Sequence, residues 1–196
     1  MQPEESFPGI VWRDVEGHAP ALRPLADFLG AINLLMTDDP DFDSEHHELL
    51  VFASRECIET VYTHACRDLS REQAGILCGR AYVSERGQYY LALDTALPAT
   101  TQGDSTHVKF QWESWEEIWG LLDKDSEILG WYHTHPGLGV FLSQTDMRTQ
   151  ENHFRAPWQI AMVVDPIQDQ IGIFSGSLGL PLKQYLLYAA QSRELP

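Results

Sequence analysis

The chain is poor in basic residues. Its 196 residues include 13 lysines and arginines against 29 aspartates and glutamates, which gives a formal net charge of −16. Proteins that bind nucleic acid cluster Lys and Arg against the phosphates, so this deficit argues against a nucleic-acid partner. Residues 1–50 contain two basic residues, Arg13 and Arg23, against eleven acids. Such a surface either keeps a protein in solution or attracts a basic partner, and the sequence leaves both interpretations open.

Cysteines and long apolar runs are also scarce. The three cysteines, Cys57, Cys66 and Cys78, form no C-x-x-C pair, which is typical of a reducing cytosol. The best candidate for a membrane span, residues 25–36, carries Asp27 and is too short to cross a bilayer. The first residues lack the basic region of a signal peptide. We therefore expect a cytoplasmic protein with no membrane segment, and a cysteine nucleophile stays open as an alternative to the metal chemistry below.

From residue 49 onward the hydrophobic pattern alternates between strands and helices. This alternation predicts an α/β domain with a central mixed β-sheet flanked by helices. We expect residues 1–45 to form an acidic, partly helical N-terminal extension and residues 46–196 to form the main domain. Residues 95–107 are expected to be a loop or insertion. The expected strands are 48–54, 74–83, 88–94, 128–135, 158–165 and 170–175, and the expected helices are 22–35, 56–68, 112–122, 145–153 and 181–191.

The most informative segment is residues 133–146, which reads H-T-H-P-G-L-G-V-F-L-S-Q-T-D. On a strand, His133 and His135 would point to the same face and could reach one metal ion. Two histidines with Asp146 supply three ligands and leave the fourth tetrahedral position of a zinc ion open, as in catalytic sites. The alternative is a pair of unrelated histidines on one strand face. The spacing favours one catalytic Zn²⁺ ion held by these three residues.

Two further residues complete a candidate site. Ser143 and Asp146 are spaced as a helix N-cap and the third helical position, which predicts a capping box that would hold Asp146 rigidly. Hydrolytic zinc enzymes often add a glutamate that is not a ligand and that acts as the general base. Glu72 is a candidate, but spacing alone does not distinguish it from the other acids of the chain.

The pattern E-x-x-G-x-L-x-G, beginning at Glu72, precedes G-W-Y-H-T-H-P-G-x-G-x-F-L-S-x-x-D, which ends at Asp146. Together they resemble the JAMM (MPN+) metalloprotease family, whose members include isopeptidases of the proteasome lid, the signalosome and the endosomal ESCRT pathway. The similarity covers residues 48–192 and includes a strand at 157–166 that ends in Asp-Pro. The resemblance implies the MPN fold, which is cytidine-deaminase-like.

The resemblance also implies a role for each site residue. His133, His135 and Asp146 would bind zinc, Glu72 would be the general base and then the acid, and Ser143 would hydrogen-bond the tetrahedral intermediate. The implied reaction is cleavage after the C-terminal Gly of ubiquitin or a ubiquitin-like protein. Residues 95–107 lie where the family carries its first insertion, which helps to hold that tail. The second-zinc insertion of the endosomal members is missing after Asp146, so specificity for one polyubiquitin linkage is not implied.

The short chain most resembles bacterial JAB proteins encoded in operons for ubiquitin-like conjugation, including antiphage defence systems. The implied partners are a ubiquitin-like protein, its conjugates, and the E1-like and E2-like proteins of such an operon. We hypothesise that the acidic residues of 1–45 attract a basic ubiquitin-like protein. One alternative is a peptidase that matures a ubiquitin-like or sulfur-carrier precursor. Another is a non-catalytic MPN scaffold subunit, although such subunits typically lose a ligand or the glutamate.

Overall fold

A mixed β-sheet organises the chain. The computed structural model describes residues 23–24, 49–99, 101–104, 107–110, 126–182 and 186–188. The helices are α1 Arg55–Ala65 and α2 Gln144–His153. The strands, in chain order, are β1 Arg23–Pro24, β2 Leu49–Ser54, β3 Ala74–Val83, β4 Tyr89–Pro98, β5 Thr101–Asp104, β6 His107–Phe110, β7 Glu127–Thr134, β8 Ile160–Asp165, β9 Gln170–Ser175, β10 Leu180–Pro181 and β11 Leu186–Tyr188.

The order of the strands places β7 well inside the sheet. Across the described residues the order is β10-β9-β8-β7-β3-β4-β2-β11, with β1 attached to β3, while β5 and β6 form a separate hairpin. β7 runs antiparallel to β3 and parallel to β8. This topology confirms the predicted α/β fold with a central mixed sheet flanked by helices. The end of β7, with His133, and the following residue His135 are therefore held by backbone hydrogen bonds from both sides.

The sheet is buried on both faces. Along β8, Met162 and Val164 pack into a cluster that includes Val61 of α1, whereas Val163 packs into a second cluster that includes Phe154 at the end of α2. Successive strand residues point to opposite faces, so the two helices cover opposite sides of the sheet. Every residue of β8 is buried, as expected of a strand with helices on both sides.

A polar contact joins the end of α1 to β7. The Nδ1 atom of His64 lies 2.8 Å from the hydroxyl oxygen of Tyr132, and both side chains are buried. The Tyr132 ring also explains why the sequence motif has a glycine at position 75, because a Cβ atom at Gly75 would overlap Cε1 of that ring. Burial lowers the pKa of His64 to about 4, so its ring is neutral at physiological pH.

The structure corrects two predictions near the edges of the sheet. Of the loop or insertion expected at 95–107, the loop is wrong, because β4 continues to Pro98 paired with β3, and Thr101–Asp104 and His107–Phe110 form the β5–β6 hairpin. The helix expected at 181–191 is wrong at its described residues: Pro181 pairs with β9, and Leu186–Tyr188 pairs in parallel with β2. At Leu186–Tyr188 pairing with the distant strand β2 outweighs the local helical pattern.

Some predictions lie partly or wholly outside the described residues. The helix expected at 112–122 lies there entirely. Of the helix expected at 22–35, the described residues Arg23 and Pro24 instead form β1, paired with Tyr82 and Val83. The division between 1–45 and 46–196 stays a prediction. In the described part of the chain no helix is long and apolar enough to cross a membrane.

The buried His64 predicts a pH-dependent stability. A histidine titrates near 6.5 in the unfolded chain but near 4 here, so the unfolded state binds more protons between these values. The free energy of unfolding should therefore fall as the pH drops from about 6.5 to about 4, and His64 should account for roughly 1–2 kcal/mol between pH 7 and pH 5.

Urea unfolding of the metal-free protein at several pH values measures this slope. The His64→Gln variant keeps an acceptor for the Tyr132 hydroxyl but does not titrate, so its slope should be flatter. Equal slopes for the wild type and His64→Gln would contradict the assignment.

Candidate metal centre

The end of β7 and the first turn of α2 bring together His133, His135 and Asp146. The two Nε2 atoms lie 3.2 Å apart. The Oδ2 atom of Asp146 lies 3.4 Å from Nε2 of His133 and 3.8 Å from Nε2 of His135. All three side chains are buried, and together they could hold a metal ion.

These separations fit a tetrahedral ion. Zinc bonds of about 2.0–2.2 Å to nitrogen and oxygen place two tetrahedral ligand atoms roughly 3.3–3.6 Å apart. The three observed separations lie close to this range, with no rearrangement of the backbone. Three protein ligands leave one position of the tetrahedron for water or substrate, which is the arrangement of catalytic rather than structural zinc sites.

The strand geometry predicted from the sequence is the one observed. His133 and His135 project from the same face of the chain end, and their rings meet edge to face with centroids 4.8 Å apart. The ring of Trp131 stacks on His133 at 4.6 Å, and the ring of Phe141 lies 4.6 Å from that of His135. These aromatic contacts restrict both imidazoles and shield them from bulk water.

A hydrogen-bonded turn fixes the orientation of His135. Its Nδ1 atom lies 3.2 Å from the carbonyl oxygen of Gly139, which can only accept. Nδ1 must then carry the proton, so the Nε2 lone pair of the neutral ring is available to a metal ion. Burial, and then the neighbouring His133, lower the pKa of His135 and favour this neutral form.

The turn itself is held by Asp165, at the end of β8. Its carboxylate accepts the backbone N–H groups of Gly137 at 2.9 Å and Gly139 at 2.7 Å. It also accepts those of Ile167 at 2.9 Å and Gln168 at 3.0 Å. Burial opposes ionisation, but these four donors lower the pKa of Asp165, so it remains a carboxylate. Asp165 thus positions His135 through Gly139.

Asp146 is fixed by the predicted capping box. The Ser143 backbone N–H donates to Oδ2 of Asp146 at 2.7 Å, and the Asp146 N–H donates to the Ser143 hydroxyl at 3.2 Å. Burial raises the pKa of Asp146, but the hydrogen bonds with His133 and Ser143 outweigh it and lower the value to about 2. The carboxylate is therefore ionised and locked at the helix start, where the helix dipole also favours a negative charge.

The structure places Glu72 beside this cluster. It lies in the segment between α1 and β3, and its Oε1 atom is 3.5 Å from Nε2 of His135. The side chain is 5% exposed, which is unusual for a glutamate and indicates a specific role for the group. Ser143, at the start of α2, is half-buried next to Asp146. All five predicted site residues therefore meet at one place.

Sequence reasoning missed the residues that hold this cluster in place. Asp165 was visible in the sequence as an aspartate between a strand and a proline, which is a signal for a turn stabilised by its side chain. No comparable signal marks Gln73 or Thr134, whose contacts join segments 61 residues apart.

Comparison with known proteins agrees with this geometry. A family model described as "Prokaryotic homologs of the JAB domain" matches residues 54–170, more than half of the chain. The chain belongs to this family. The matched span of this JAB protein contains Glu72, both histidines, Ser143, Asp146 and Asp165.

Several curated proteins are similar over the same region of the JAB protein. The COP9 signalosome complex subunit 5 of Caenorhabditis elegans is 34% identical over 114 residues, covering 54% of this chain and 29% of the relative. The 26S proteasome regulatory subunit rpn11 of Schizosaccharomyces pombe is 48% identical over 46 residues, covering 23% of this chain and 15% of the relative. The JAB protein thus spans less than a third of the length of these relatives.

A solved structure supports the fold. The solution structure of protein DSY2949 from Desulfitobacterium hafniense matches 71% of this chain and 94% of its own, with a TM-score of 0.53. At 19% sequence identity, this likeness concerns the fold alone.

The role of Asp165 can be tested through metal affinity. An Asp165→Asn variant replaces one acceptor oxygen with an NH₂ group, which cannot accept a backbone N–H group of the turn. The turn at Gly139 should loosen, and the zinc affinity should fall about 10- to 100-fold. Competition with a chromogenic chelator measures the affinity.

The matched control is Asp169→Asn. Asp169 is exposed and accepts a hydrogen bond from the Tyr62 hydroxyl, which an asparagine oxygen can replace. This variant should bind zinc like the wild type. Equal zinc affinity in the Asp165 and Asp169 variants would show that Asp165 does not support the metal centre.

Proposed function

We propose that this JAB protein is a zinc-dependent isopeptidase that cleaves after the C-terminal glycine of a ubiquitin-like protein. The observation that carries the proposal is the buried set His133, His135 and Asp146 with the carboxylate of Glu72 3.5 Å from Nε2 of His135. Such a set combines three protein ligands, which leave a fourth coordination position of the ion for water or substrate, with a proton acceptor that is not needed as a ligand.

The donor set favours zinc. Two imidazole nitrogens and one carboxylate oxygen in a tetrahedral arrangement suit Zn²⁺, whereas magnesium and calcium prefer six or more oxygen ligands. When bound, zinc would supply Lewis acidity to polarise the scissile carbonyl and to activate a water molecule.

Glu72 performs the proton transfers in the proposed mechanism. An amide can be hydrolysed only if the attacking water loses a proton and the departing amine gains one. An ionised carboxylate beside the ligands can accept the first proton and later donate it to the amine nitrogen. The low exposure of Glu72 keeps bulk water from competing for these transfers. No covalent intermediate between the protein and the substrate is required.

Ser143 stabilises the tetrahedral intermediate. Its hydroxyl oxygen already accepts the Asp146 N–H, so its own proton remains available as a donor. A donor beside the ligand set can hydrogen-bond the oxygen that becomes negative during attack, an interaction commonly worth roughly 3–4 kcal/mol. The capping box would therefore both fix a ligand and orient this donor.

The substrate assignment rests on the family and on the resemblance described above. The chain belongs to the JAB family, and its relatives include subunits named for the COP9 signalosome and the 26S proteasome. We propose a cytosolic bacterial conjugation system, such as one serving antiphage defence, with E1-like and E2-like proteins as further partners. The net charge of −16 supports a basic protein partner and disfavours nucleic acid.

Two purified substrates would test the reaction class. One is a ubiquitin-like protein joined to a lysine side chain, and the other is a linear fusion after the same terminal glycine. We expect zinc-dependent cleavage of the lysine conjugate. Preference for the linear fusion would favour a processing peptidase instead.

Absence of stoichiometric zinc after gentle purification would favour a scaffold subunit, although the retention of all three donors and Glu72 argues against it.

The general-base role predicts the effect of Glu72→Gln. The amide has nearly the same shape but cannot accept a proton at neutral pH, so cleavage should fall by roughly 10²–10⁴-fold. Zinc content and thermal stability should remain those of the wild type. The control Glu59→Gln removes an exposed carboxylate from α1 and should leave the rate unchanged. A Glu72→Gln enzyme that retains most of its activity would refute the role of Glu72.

The role of Ser143 is tested by a pair of variants. Ser143→Ala removes the hydroxyl and should lower kcat about 10²–10³-fold. Ser143→Thr keeps both the donor and the helix cap and should retain most of the rate. Circular dichroism and zinc titration separate a catalytic effect from loss of the cap. Similar rates in the alanine and threonine variants would show that the hydroxyl does not act on the intermediate.

A further inference from the structure

Gln73, the residue after Glu72, is bonded to the end of helix α1. Its side-chain amide nitrogen donates to the carbonyl oxygen of His64, in the last turn of α1, at 2.8 Å, and to that of Asp68, three residues beyond the helix, at 3.3 Å. The side chain is 6% exposed. The last carbonyls of a helix have no partner within the helix, so the carbonyl of His64 can accept the Gln73 amide, which ties the segment before β3 to α1.

Gln73 is also bonded to the strand that carries the histidines. Its backbone N–H donates to the hydroxyl oxygen of Thr134 at 2.9 Å. In return the Thr134 backbone N–H donates to the carbonyl oxygen of Gln73 at 2.9 Å. Thr134 is completely buried. Strand alternation turns its side chain away from the face of His133, so the hydroxyl is free of the metal site and available to Gln73.

We propose that Thr134 and Gln73 are positioning residues that hold the base Glu72 against the metal centre. This inference rests on the proposed function. Glu72 lies in a segment without helix or strand, residues 66–73, so regular backbone pairing does not place it. The reciprocal bonds between Gln73 and Thr134 attach the end of that segment to the residue between the two histidine ligands. These bonds therefore fix the position of Glu72 relative to His133 and His135.

The bond from the Gln73 side chain to the carbonyl oxygen of His64 attaches the same segment to α1. Without this bond, the segment between α1 and β3 would lose its side-chain attachment to the end of α1 next to Glu72. A displacement of about 1 Å at a reacting group can cost on the order of 100-fold in rate. The Gln73 amide therefore matters for catalysis although it touches neither substrate nor ligand.

Substitutions at Thr134 separate the hydroxyl from the rest of the side chain. Thr134→Val keeps the branched shape and the strand preference but leaves the buried Gln73 N–H without its acceptor. Thr134→Ser keeps the oxygen and serves as the matched control. Gln73→Met is an independent second variant, because it removes the bonds to α1 and leaves the Thr134 hydroxyl in place.

Hydrogen exchange of the backbone amides, followed by NMR on the zinc-loaded protein, tests the contacts without any substrate. The Gln73 amide should be protected in the wild type and in Thr134→Ser, and should exchange at least about 10-fold faster in Thr134→Val. Unchanged protection in the valine variant would overturn the proposal.

Kinetics with the lysine conjugate test the consequence for the base. In Thr134→Val and Gln73→Met, kcat should fall about 10- to 100-fold with KM and zinc affinity unchanged, while Thr134→Ser should retain the wild-type kcat. The positioning role would be overturned by any of three results. These are loss of zinc from Thr134→Val or Gln73→Met, a change confined to KM in those variants, and a Thr134→Ser variant that does not retain kcat. An inactive wild type would overturn the proposed function, while the exchange measurement would still decide whether Thr134 anchors Gln73.

Discussion

The alternation of side chains along β7 is the constraint on which the rest of the site depends. Because both faces of this strand are buried, each residue near its end has a defined environment. On one face, His133 contacts Asp146 of α2. On the other face, Tyr132 contacts His64 at the end of α1, and Thr134 contacts Gln73 in the segment that follows α1. A shift of one residue in the pairing of β7 would exchange the two faces and destroy both sets of contacts.

Burial of so many polar groups is tolerated because nearly every one has a specific partner. The Asp165 carboxylate accepts four backbone N–H groups, and Asp146 bonds to Ser143. An unpartnered buried carboxylate would cost several kcal/mol, so each of these groups strongly favours one geometry. The metal centre is therefore largely formed by hydrogen bonds between protein groups.

The sequence predicted the features that depend on local spacing. The i, i+2 histidines and the capping box of Ser143 and Asp146 follow from strand and helix periodicity, and both are observed. Glu72 could be singled out only by its resemblance to a family pattern, since its partner His135 is distant in the chain. Gln73 gave no signal, because its bonds to α1 and Thr134 depend on tertiary packing. The same reason explains the strands at Pro181 and Leu186–Tyr188, where edge pairing replaced a predicted helix.

The division of the site between two chain segments has a consequence for the order in which it assembles. His133 and Asp146 are thirteen residues apart, so they meet by closing one short loop, whereas Glu72 must be brought in from 61 residues before His133. Short loops close at lower entropic cost than long ones. The contact between His133 and Asp146 therefore costs less conformational entropy to form than the contact that brings Glu72 to His135. Under the proposed function, a chain whose metal ligands have met therefore still lacks its base until the long-range contact that brings Glu72 to His135 has formed.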